Sequence, residues 1–190
     1  MNARPRSQDK LVDTALELFA ENGYPAVTEE DLLKASKVSR GILMYHFGNK
    51  SRLLEEIVRK HQTCIQETLP PLEKKEQLTV HVVSPVDLID CWTHSLQRYP
   101  TWWKCYFRLI QYPESRAIIE ADPIYTEVVF QSRTYLQAYF TTQGVLNVPV
   151  EIALFQSFRT GISVEYLNRP KTFPLGEVVS VWKAKYLDYK

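Results

Sequence analysis

The sequence predicts an all-α protein, because its apolar residues recur at helical spacing along almost the whole chain of 190 residues. Strand-like alternation of apolar and polar residues is rare. Hydrophobic residues make up 45% of the chain, which fits a folded protein with a buried core. No apolar run is long enough to cross a membrane, and the polar N-terminus lacks the apolar core of a secretory signal. We therefore expect a cytoplasmic protein that does not enter membranes.

Four helices are predicted in the N-terminal part of the chain. Two apolar rows on one face define the first, and Gly23 supplies the positive φ that ends many helices. Thr28 is a good N-cap for the second helix, and Asp31 stands at the capping-box position. Ser39 caps a third, short helix. The predicted bounds are 8–22, 28–36, 39–47 and 50–69.

Residues 70–84 combine a charged run with a β-branched stretch, and we interpret them as a linker between two domains. The helical pattern resumes at Pro85, and turn signals separate five further helices. Their predicted bounds are 85–98, 101–112, 122–143, 149–168 and 174–188. The expected organisation is an N-terminal domain over 1–50, a connecting helix over 50–69 and a C-terminal helical domain over 85–190.

The second and third helices are short, capped and separated by a tight turn at Lys37 and Val38, which is the spacing of a helix-turn-helix. Leu32, Val38 and Leu43 are placed to fill the small core between them. In such a motif the second helix enters the major groove of DNA. Gly41 lies in the first turn of that helix, where glycine costs about 1 kcal/mol against alanine. Close approach of a DNA backbone would explain this glycine.

The distribution of charge also favours DNA, although the net charge is only +1. Between Leu32 and Leu54 there are five basic residues and no acidic one. Basic side chains release counterions from phosphates, which supplies much of the sequence-independent affinity for DNA. Tyr45 and His46 add polar groups that can donate to phosphates or base edges. On charge alone, a solvated basic face on a small helical bundle explains the stretch equally well.

The segment from Asp9 to Leu54 resembles the N-terminal domain of the TetR family of regulators. This segment is about a quarter of the chain, and the remainder is similar to that family only in helix count and size. The resemblance implies a three-helix DNA-binding domain followed by a helical ligand-binding and dimerisation domain. The matching segments are Ala-Leu-Glu-Leu-Phe at 15–19, Asn-Gly-Tyr at 22–24, Val-Ser-Arg-Gly at 38–41 and Tyr-His-Phe-Gly-Asn-Lys-Ser at 45–51.

The resemblance also implies which residues contact double-stranded operator DNA. In the family the third helix contacts bases, and the lysine that opens the fourth helix holds a phosphate. Thr28 would contact a phosphate from the start of the second helix, as helix N-termini tend to do. Carried over to this sequence, the DNA-binding residues are Thr28, Ser39, Arg40, Gly41, Ile42, Tyr45, His46 and Lys50.

Three positions depart from the family pattern. Lys37 stands where glycine is usual, so it must adopt a left-handed conformation or the turn must be of another type. Ile42 and Met44 replace residues that usually carry a hydroxyl group. Ile42 can instead contact a thymine methyl group, which leaves the operator sequence open.

The last two predicted helices carry apolar rows that suit a homodimer in which each subunit contributes two helices to a bundle. The predicted interface comprises Leu154, Phe158, Gly161, Ile162, Val178, Trp182 and Tyr186. Such a dimer would present two recognition helices to successive major grooves of an operator.

The resemblance further implies a small-molecule effector, which in this family usually releases a repressor from DNA. The helix at 122–143 is apolar on more than one side, which predicts a central position. Its aromatic surroundings favour a largely apolar or aromatic effector, whereas Arg108 and Arg133 would suit an acidic one. The predicted effector-binding residues are Trp92, Trp103, Phe107, Tyr135, Tyr139 and Phe158.

An enzyme is the main alternative class. The pairs His61-x-x-Cys64 and Cys91-x-x-His94 each place two metal ligands on one helix face, but zinc needs a third or fourth ligand. Neither G-x-S-x-G nor H-E-x-x-H occurs. We therefore expect no enzymatic activity, no metal and no cofactor.

A redox sensor is a further alternative. Cys105 lies beside Lys104 and near Arg108, which would lower the pKa of its thiol if they approached it. A buried, inert cysteine is the expected outcome.

Overall fold

Ten α-helices make up the part of the chain that the computed structural model describes, namely residues 6–67, 69 and 83–187. No strand occurs among these described residues, so the all-α prediction is confirmed. Most of the predicted linker, residues 70–82, lies outside them, and the predicted domain bounds stay a prediction. The helices are α1 (Arg6–Asn22), α2 (Glu29–Ser36), α3 (Arg40–His46), α4 (Lys50–Gln66), α5 (Pro85–Arg98), α6 (Pro100–Leu109), α7 (Pro113–Ala121), α8 (Pro123–Thr142), α9 (Val148–Asn168) and α10 (Leu175–Leu187).

The described residues divide into two compact units. The first unit contains the residues up to Cys64 together with Thr101–Thr126. The second contains the described residues of Ile65–Pro100 together with those of Glu127–Lys190. The segment that carries most of α6 and all of α7 therefore packs with the N-terminal helices. In the described part of the chain, no helix is both long and apolar enough to cross a membrane.

The N-terminal helices of the first unit pack around a small core. Leu32 and Leu43 are fully buried and Val38 is nearly so, which confirms their predicted role. The rings of Phe19 and Tyr24 meet edge to face with centroids 5.3 Å apart. A glycine with φ of 82° follows α1, as the sequence predicts.

One predicted helix proves to be two. The helix expected at 101–112 ends at Leu109, and α7 begins at Pro113, which the sequence had indicated only as a turn. Proline is tolerated as the first residue of a helix, since the missing N–H has no partner there in any case. The hydroxyl of Ser115 donates a hydrogen bond to the carbonyl of Leu109 at 2.6 Å, which closes the turn between the helices.

Aromatic residues form the core of the second unit. Trp92 on α5 meets Trp182 on α10 edge to face, with centroids 5.6 Å apart, and Phe155 on α9 lies 4.8 Å from Trp182. The helix α8 buries much of its apolar surface but not all of it. Leu136 and Phe140 are 2% and 0% exposed, whereas Val129 and Phe130 are 43% and 67% exposed.

Candidate nucleic-acid interface

The first turn of α2 is closed by the chain's own polar groups. The hydroxyl of Thr28 accepts a hydrogen bond from the amide of Asp31 at 3.1 Å and donates one to its carboxylate at 2.6 Å. The amide of Thr28 donates to the same carboxylate oxygen at 2.9 Å. These bonds to Thr28 lower the pKa of Asp31. The predicted capping box is confirmed, and it engages the hydroxyl of Thr28, a residue that is also predicted to contact a phosphate.

The turn between α2 and α3 depends on Lys37. This residue adopts a left-handed conformation with φ of 54° and ψ of 33°. It is the one non-glycine residue with positive φ in the described part of the chain. Of the two possibilities that the sequence left open, the structure therefore has the left-handed one, which glycine would adopt without steric cost.

The exposed face of α3 presents most of the predicted DNA-binding residues. Tyr45 is 83% exposed, and Arg40 and Gly41 are also exposed, whereas Ile42 and His46 are half-buried. Ser39 is the N-cap of α3, but its side chain makes no capping hydrogen bond. The guanidinium of Arg40 lies 3.9 Å from the carboxylate of Glu29. A polar and aromatic surface thus lies opposite the buried Leu43.

The packing of the chain itself does not require a glycine at position 41. A Cβ atom there would meet only the hydroxyl oxygen of Ser39, at 3.8 Å, which is an ordinary contact. The φ of Gly41 is not positive. Neither the internal packing nor the backbone conformation therefore requires a glycine at this position of α3, where glycine destabilises the helix relative to alanine.

Lys50, at the start of α4, directs its ammonium group into the protein. Its Nζ donates hydrogen bonds to the carbonyls of Tyr24 and Val27 at 3.0 and 2.9 Å. The same Nζ lies 4.1 Å from the centroid of the Tyr24 ring. The hydroxyls of Tyr24 and Ser51 are 3.0 Å apart, and burial raises the pKa of Tyr24. Sequence reasoning missed these contacts, because they depend on the direction of two carbonyls in a turn.

The predicted effector-binding residues fall into both units. Trp103 and Phe107 belong to the first unit, and the other four belong to the second. The hydroxyl of Tyr139 donates to the carbonyl of Tyr186 at 3.2 Å, so it is engaged within the chain. The hydroxyl of Tyr135 accepts a hydrogen bond from Gln131 at 3.0 Å. Phe158 is 49% exposed on the outer side of α9.

An apolar surface, which we name the α9–α10 face, lies on the outer sides of these two helices. Of the predicted interface residues, Leu154, Phe158 and Gly161 are exposed there. An open cavity of about 480 Å³ borders the face. Three exposed valines extend the face beyond the residues of the predicted interface. The face comprises Val150, Leu154, Phe158, Gly161, Val164 and Val181, and the cavity is lined by Ser157, Phe158, Gly161, Ile162, Glu165, Phe173 and Val178.

Three of the predicted interface residues are buried in the single chain and are not exposed on the α9–α10 face. Ile162, Trp182 and Tyr186 are 7%, 4% and 2% exposed in the single chain. Trp182 and Tyr186 pack against Phe155, with ring centroids 4.8 and 5.8 Å apart. In the single chain these three side chains pack in the second unit, and the interface itself stays a prediction.

The alternative chemistries find no support in the described residues. No three histidine, cysteine or acidic side chains are grouped there as a metal ion would require. Cys105 is fully buried, and burial raises the pKa of its thiol to about 12, which keeps it protonated. His61 stacks on Trp102 with centroids 4.9 Å apart, and burial lowers its pKa to about 4.

A capped helix, a tight turn and an exposed second helix form a helix-turn-helix, a motif that many DNA-binding proteins share. The family model of the bacterial regulatory proteins of the tetR family matches residues 11–57. Residues 11–57 therefore have the sequence of a TetR-family N-terminal domain, as the sequence resemblance indicated.

Curated relatives match over limited lengths of the chain. The chain is similar to the HTH-type transcriptional regulator QacR of Staphylococcus aureus, with 41% identity over 71 residues, which are 37% of this chain and 36% of QacR. It is 36% identical over 52 residues to IcaR of the same species, a negative regulator of the biofilm operon icaADBC. That match covers 27% of this chain and 28% of IcaR. The matches thus span about a third of the length of these relatives.

The fold of the whole chain is also found among solved structures. A transcriptional regulator from Aquifex aeolicus VF5 superimposes with a TM-score of 0.67 and 18% sequence identity. The superposition covers 95% of this chain and 99% of that one. At this identity the similarity establishes the fold of the C-terminal helices but not their ligand.

Proposed function

We propose that this protein regulates transcription by placing α3 in the major groove of operator DNA. The observation that carries the proposal is the exposed surface of α3, with Tyr45 83% exposed and Arg40 also exposed at the start of the helix. An exposed aromatic ring and a guanidinium group suit contacts with phosphates and base edges. Gly41 supports this orientation, because close approach of DNA accounts for a glycine that internal packing does not need.

Individual roles follow from the exposed groups. Arg40 suits a guanine edge, and Ile42 suits a thymine methyl group. Tyr45 and His46 contribute a hydroxyl and an imidazole to phosphates or bases. Ser39 contributes a hydroxyl that makes no capping bond within α3. Thr28 and Lys50 have their polar side-chain groups engaged within the chain.

The test is DNA binding followed by fluorescence anisotropy at several salt concentrations. Arg40→Ala and Tyr45→Ala should each weaken binding to a selected operator by about 5- to 100-fold, and weaken binding to random duplex much less. Arg59→Ala removes an exposed charge that is paired with Glu56 on α4, and it serves as the control. Absence of any salt-dependent DNA binding by the wild-type protein would refute the proposal.

We also propose that the protein acts as a cytoplasmic homodimer joined at the α9–α10 face. Leu154 and Phe158 are 42% and 49% exposed, and Val181 is 75% exposed. Several large apolar side chains exposed on neighbouring helices suit a protein interface. A two-fold dimer places the same surface on both subunits, and Gly161 allows the two copies of α9 to approach closely. A dimer also suits an operator with two half-sites.

We further propose that a small molecule, bound by the second unit, releases the protein from its operator. IcaR, a similar protein, is named a negative regulator, which supports repression as the mode of action. No described residue accepts a hydrogen bond from the buried indole N–H of Trp92. In aromatic surroundings, this donor suits a ligand that is largely apolar and carries one acceptor.

Thermal-shift screening tests the effector proposal, because a ligand that binds only the folded protein raises its Tm. Neutral aromatic compounds should raise the Tm, and Trp92→Phe should reduce their effect. Preference for carboxylates, abolished by Arg133→Ala, would instead identify an acidic effector. Linkage requires operator DNA to weaken effector binding by the same factor by which the effector weakens DNA binding. Ligand and DNA binding without mutual effect would refute the switch.

A further inference from the structure

We propose that Lys37, in the turn between α2 and α3, binds a phosphate of the DNA backbone. The inference rests on the proposed function, since it adds a contact to the DNA-binding surface of α3. Glycine is usual at this position in the family that the N-terminal segment resembles, so the resemblance assigns no such contact here. The proposal thus concerns a residue at which this chain departs from the family pattern.

The backbone conformation of Lys37 is unfavourable for a lysine. With φ of 54° and ψ of 33°, the residue lies in the left-handed region, where a Cβ atom crowds a carbonyl oxygen and glycine has no such penalty. Asparagine and aspartate tolerate this region because their short polar side chains can hydrogen-bond locally, which lysine does not do. Residues held in sparsely populated backbone conformations cluster at functional sites, so the side chain of Lys37 is a candidate for a function.

The packing of the turn holds this side chain in solvent. Ser36 and Val38, on either side of Lys37, are 0% and 8% exposed, whereas Lys37 itself is exposed. The hydroxyl of Ser36 also donates a hydrogen bond to the carbonyl of Leu33 at 3.4 Å. The chain is therefore anchored on both sides of Lys37, and its long side chain extends outward from a fixed turn.

The ammonium group of Lys37 is available for an anion. In the part of the chain that the structure describes, it makes neither an ion pair nor a hydrogen bond. Arg40, by comparison, lies 3.9 Å from the carboxylate of Glu29. No polar contact of the ammonium group therefore offsets the unfavourable backbone of Lys37, and binding a phosphate breaks no internal contact.

The position of Lys37 along the chain brings it close to the start of α3. Ser39, two residues later, is the N-cap of that helix, and Arg40 is its first residue. Two residues of extended chain span at most about 7 Å. When the start of α3 enters a major groove, the phosphates that border the groove come within reach of a lysine side chain at this distance. Lysine binds phosphate as a point charge, so the contact requires no exact geometry.

The test compares binding to a selected operator and to random duplex at several salt concentrations. Lys37→Gly removes the ammonium group and the steric penalty together. At about 0.1 M salt it should weaken binding to both duplexes equally, by about five- to tenfold, and lower the slope of log K against log salt by about 0.9. Its free energy of unfolding should not fall, so the weaker binding cannot result from a damaged fold.

Two further variants isolate the charge. Lys37→Arg keeps a cation at the turn and should retain most of the affinity. Lys104→Ala removes a cation from an exposed position on α6, outside the helix-turn-helix, and should leave affinity and slope unchanged.

Three results would overturn the proposal while leaving the proposed function intact. They are unchanged affinity and slope in Lys37→Gly, a loss confined to the operator, which would indicate a base contact, and an equal loss in Lys37→Arg and Lys37→Gly. Absence of any DNA binding by the wild-type protein would instead refute the proposed function, and this inference with it.

Discussion

The helix-turn-helix and the α9–α10 face place their apolar residues in opposite ways. In α2 and α3 the apolar Leu32 and Leu43 are fully buried, and the outer surface is polar and aromatic. On α9 and α10 large apolar side chains face outward, such as Val181 at 75% exposure. The first arrangement buries its apolar residues within one chain and leaves a polar surface, for which we propose DNA as the partner. The second leaves apolar surface for which we propose a second copy of the chain.

A charge on the α9–α10 face should produce the largest effect. Leu154→Arg places a cation on the apolar surface, which we expect to separate the dimer into monomers at micromolar concentration. Because a dimer binds two half-sites at once, the monomer should lose about 100-fold or more in operator affinity. Gln97→Arg, at an exposed polar position on α5, is the control. Sedimentation would show dimers of both variants if the face is not an interface.

The pH dependence of stability should reveal the buried His61 of the first unit. Burial holds its folded-state pKa at about 4, below the unfolded value of 6.5, with Lys60 lowering it further and Asp13 opposing. The unfolded chain therefore binds the extra proton first, so stability is full above pH 6.5 and falls as the pH drops toward 4. The loss should approach about 3 kcal/mol.

His61→Phe keeps an aromatic ring against Trp102 and removes the titration. Its free energy of unfolding, measured by urea denaturation between pH 7 and pH 4, should depend less on pH than that of the wild type. The exposed His94, replaced by glutamine, should leave the wild-type dependence intact. Equal pH dependence in wild type and His61→Phe would show that His61 is not held neutral in the fold.

The turn after α1 should tolerate substitution less well than the helical glycines of the second unit. Gly23 has φ of 82°, where a Cβ costs about 1–2 kcal/mol, although Tyr112 leaves ordinary space for it at 3.6 Å. Gly23→Ala should therefore lower the free energy of unfolding by about this amount. Gly176 lies within α10, where a Cβ atom would meet nothing within 4 Å, so Gly176→Ala should not lower the free energy of unfolding. Equal denaturation midpoints of the two variants would contradict the role of the left-handed turn.

The smallest effect is expected at Lys37, and it should be a gain. Glycine adopts the left-handed conformation of this residue freely, whereas lysine does not. Lys37→Gly should stabilise the protein by about 0.5 kcal/mol, after the added freedom of the unfolded chain is deducted. Lys37→Ala removes the same charge but keeps the Cβ, so it should show no such gain. Equal unfolding free energies of the two variants would count against strain at this turn.

Local features were predictable from the sequence and packing partners were not. The cap at Thr28 and the glycine after α1 depend on residues close together in the chain, and the structure has both. Pro113 was ambiguous, because proline marks both a turn and the first residue of a helix. The helix α7 was missed for that reason.

On α10 the sequence was ambiguous in another way. Val181 and Trp182 are consecutive apolar residues, yet Trp182 is 4% exposed and Val181 is 75% exposed. A helix that is apolar on several sides does not reveal which side meets its own chain and which is left for a partner. The sequence likewise did not indicate that the ammonium group of Lys50 points into the protein. That orientation depends on the carbonyl groups of Tyr24 and Val27 in the turn between α1 and α2.

Selection of binding sites from a pool of random DNA duplexes tests most directly whether this protein is a dimeric DNA-binding regulator. We expect the full chain to enrich an inverted repeat whose two half-sites lie about one helical turn, or a multiple of it, apart. The Tyr45→Ala variant should enrich the repeat poorly. Recovery of no sequence, or of a single unrepeated site by the wild-type protein, would contradict the proposed dimer on DNA.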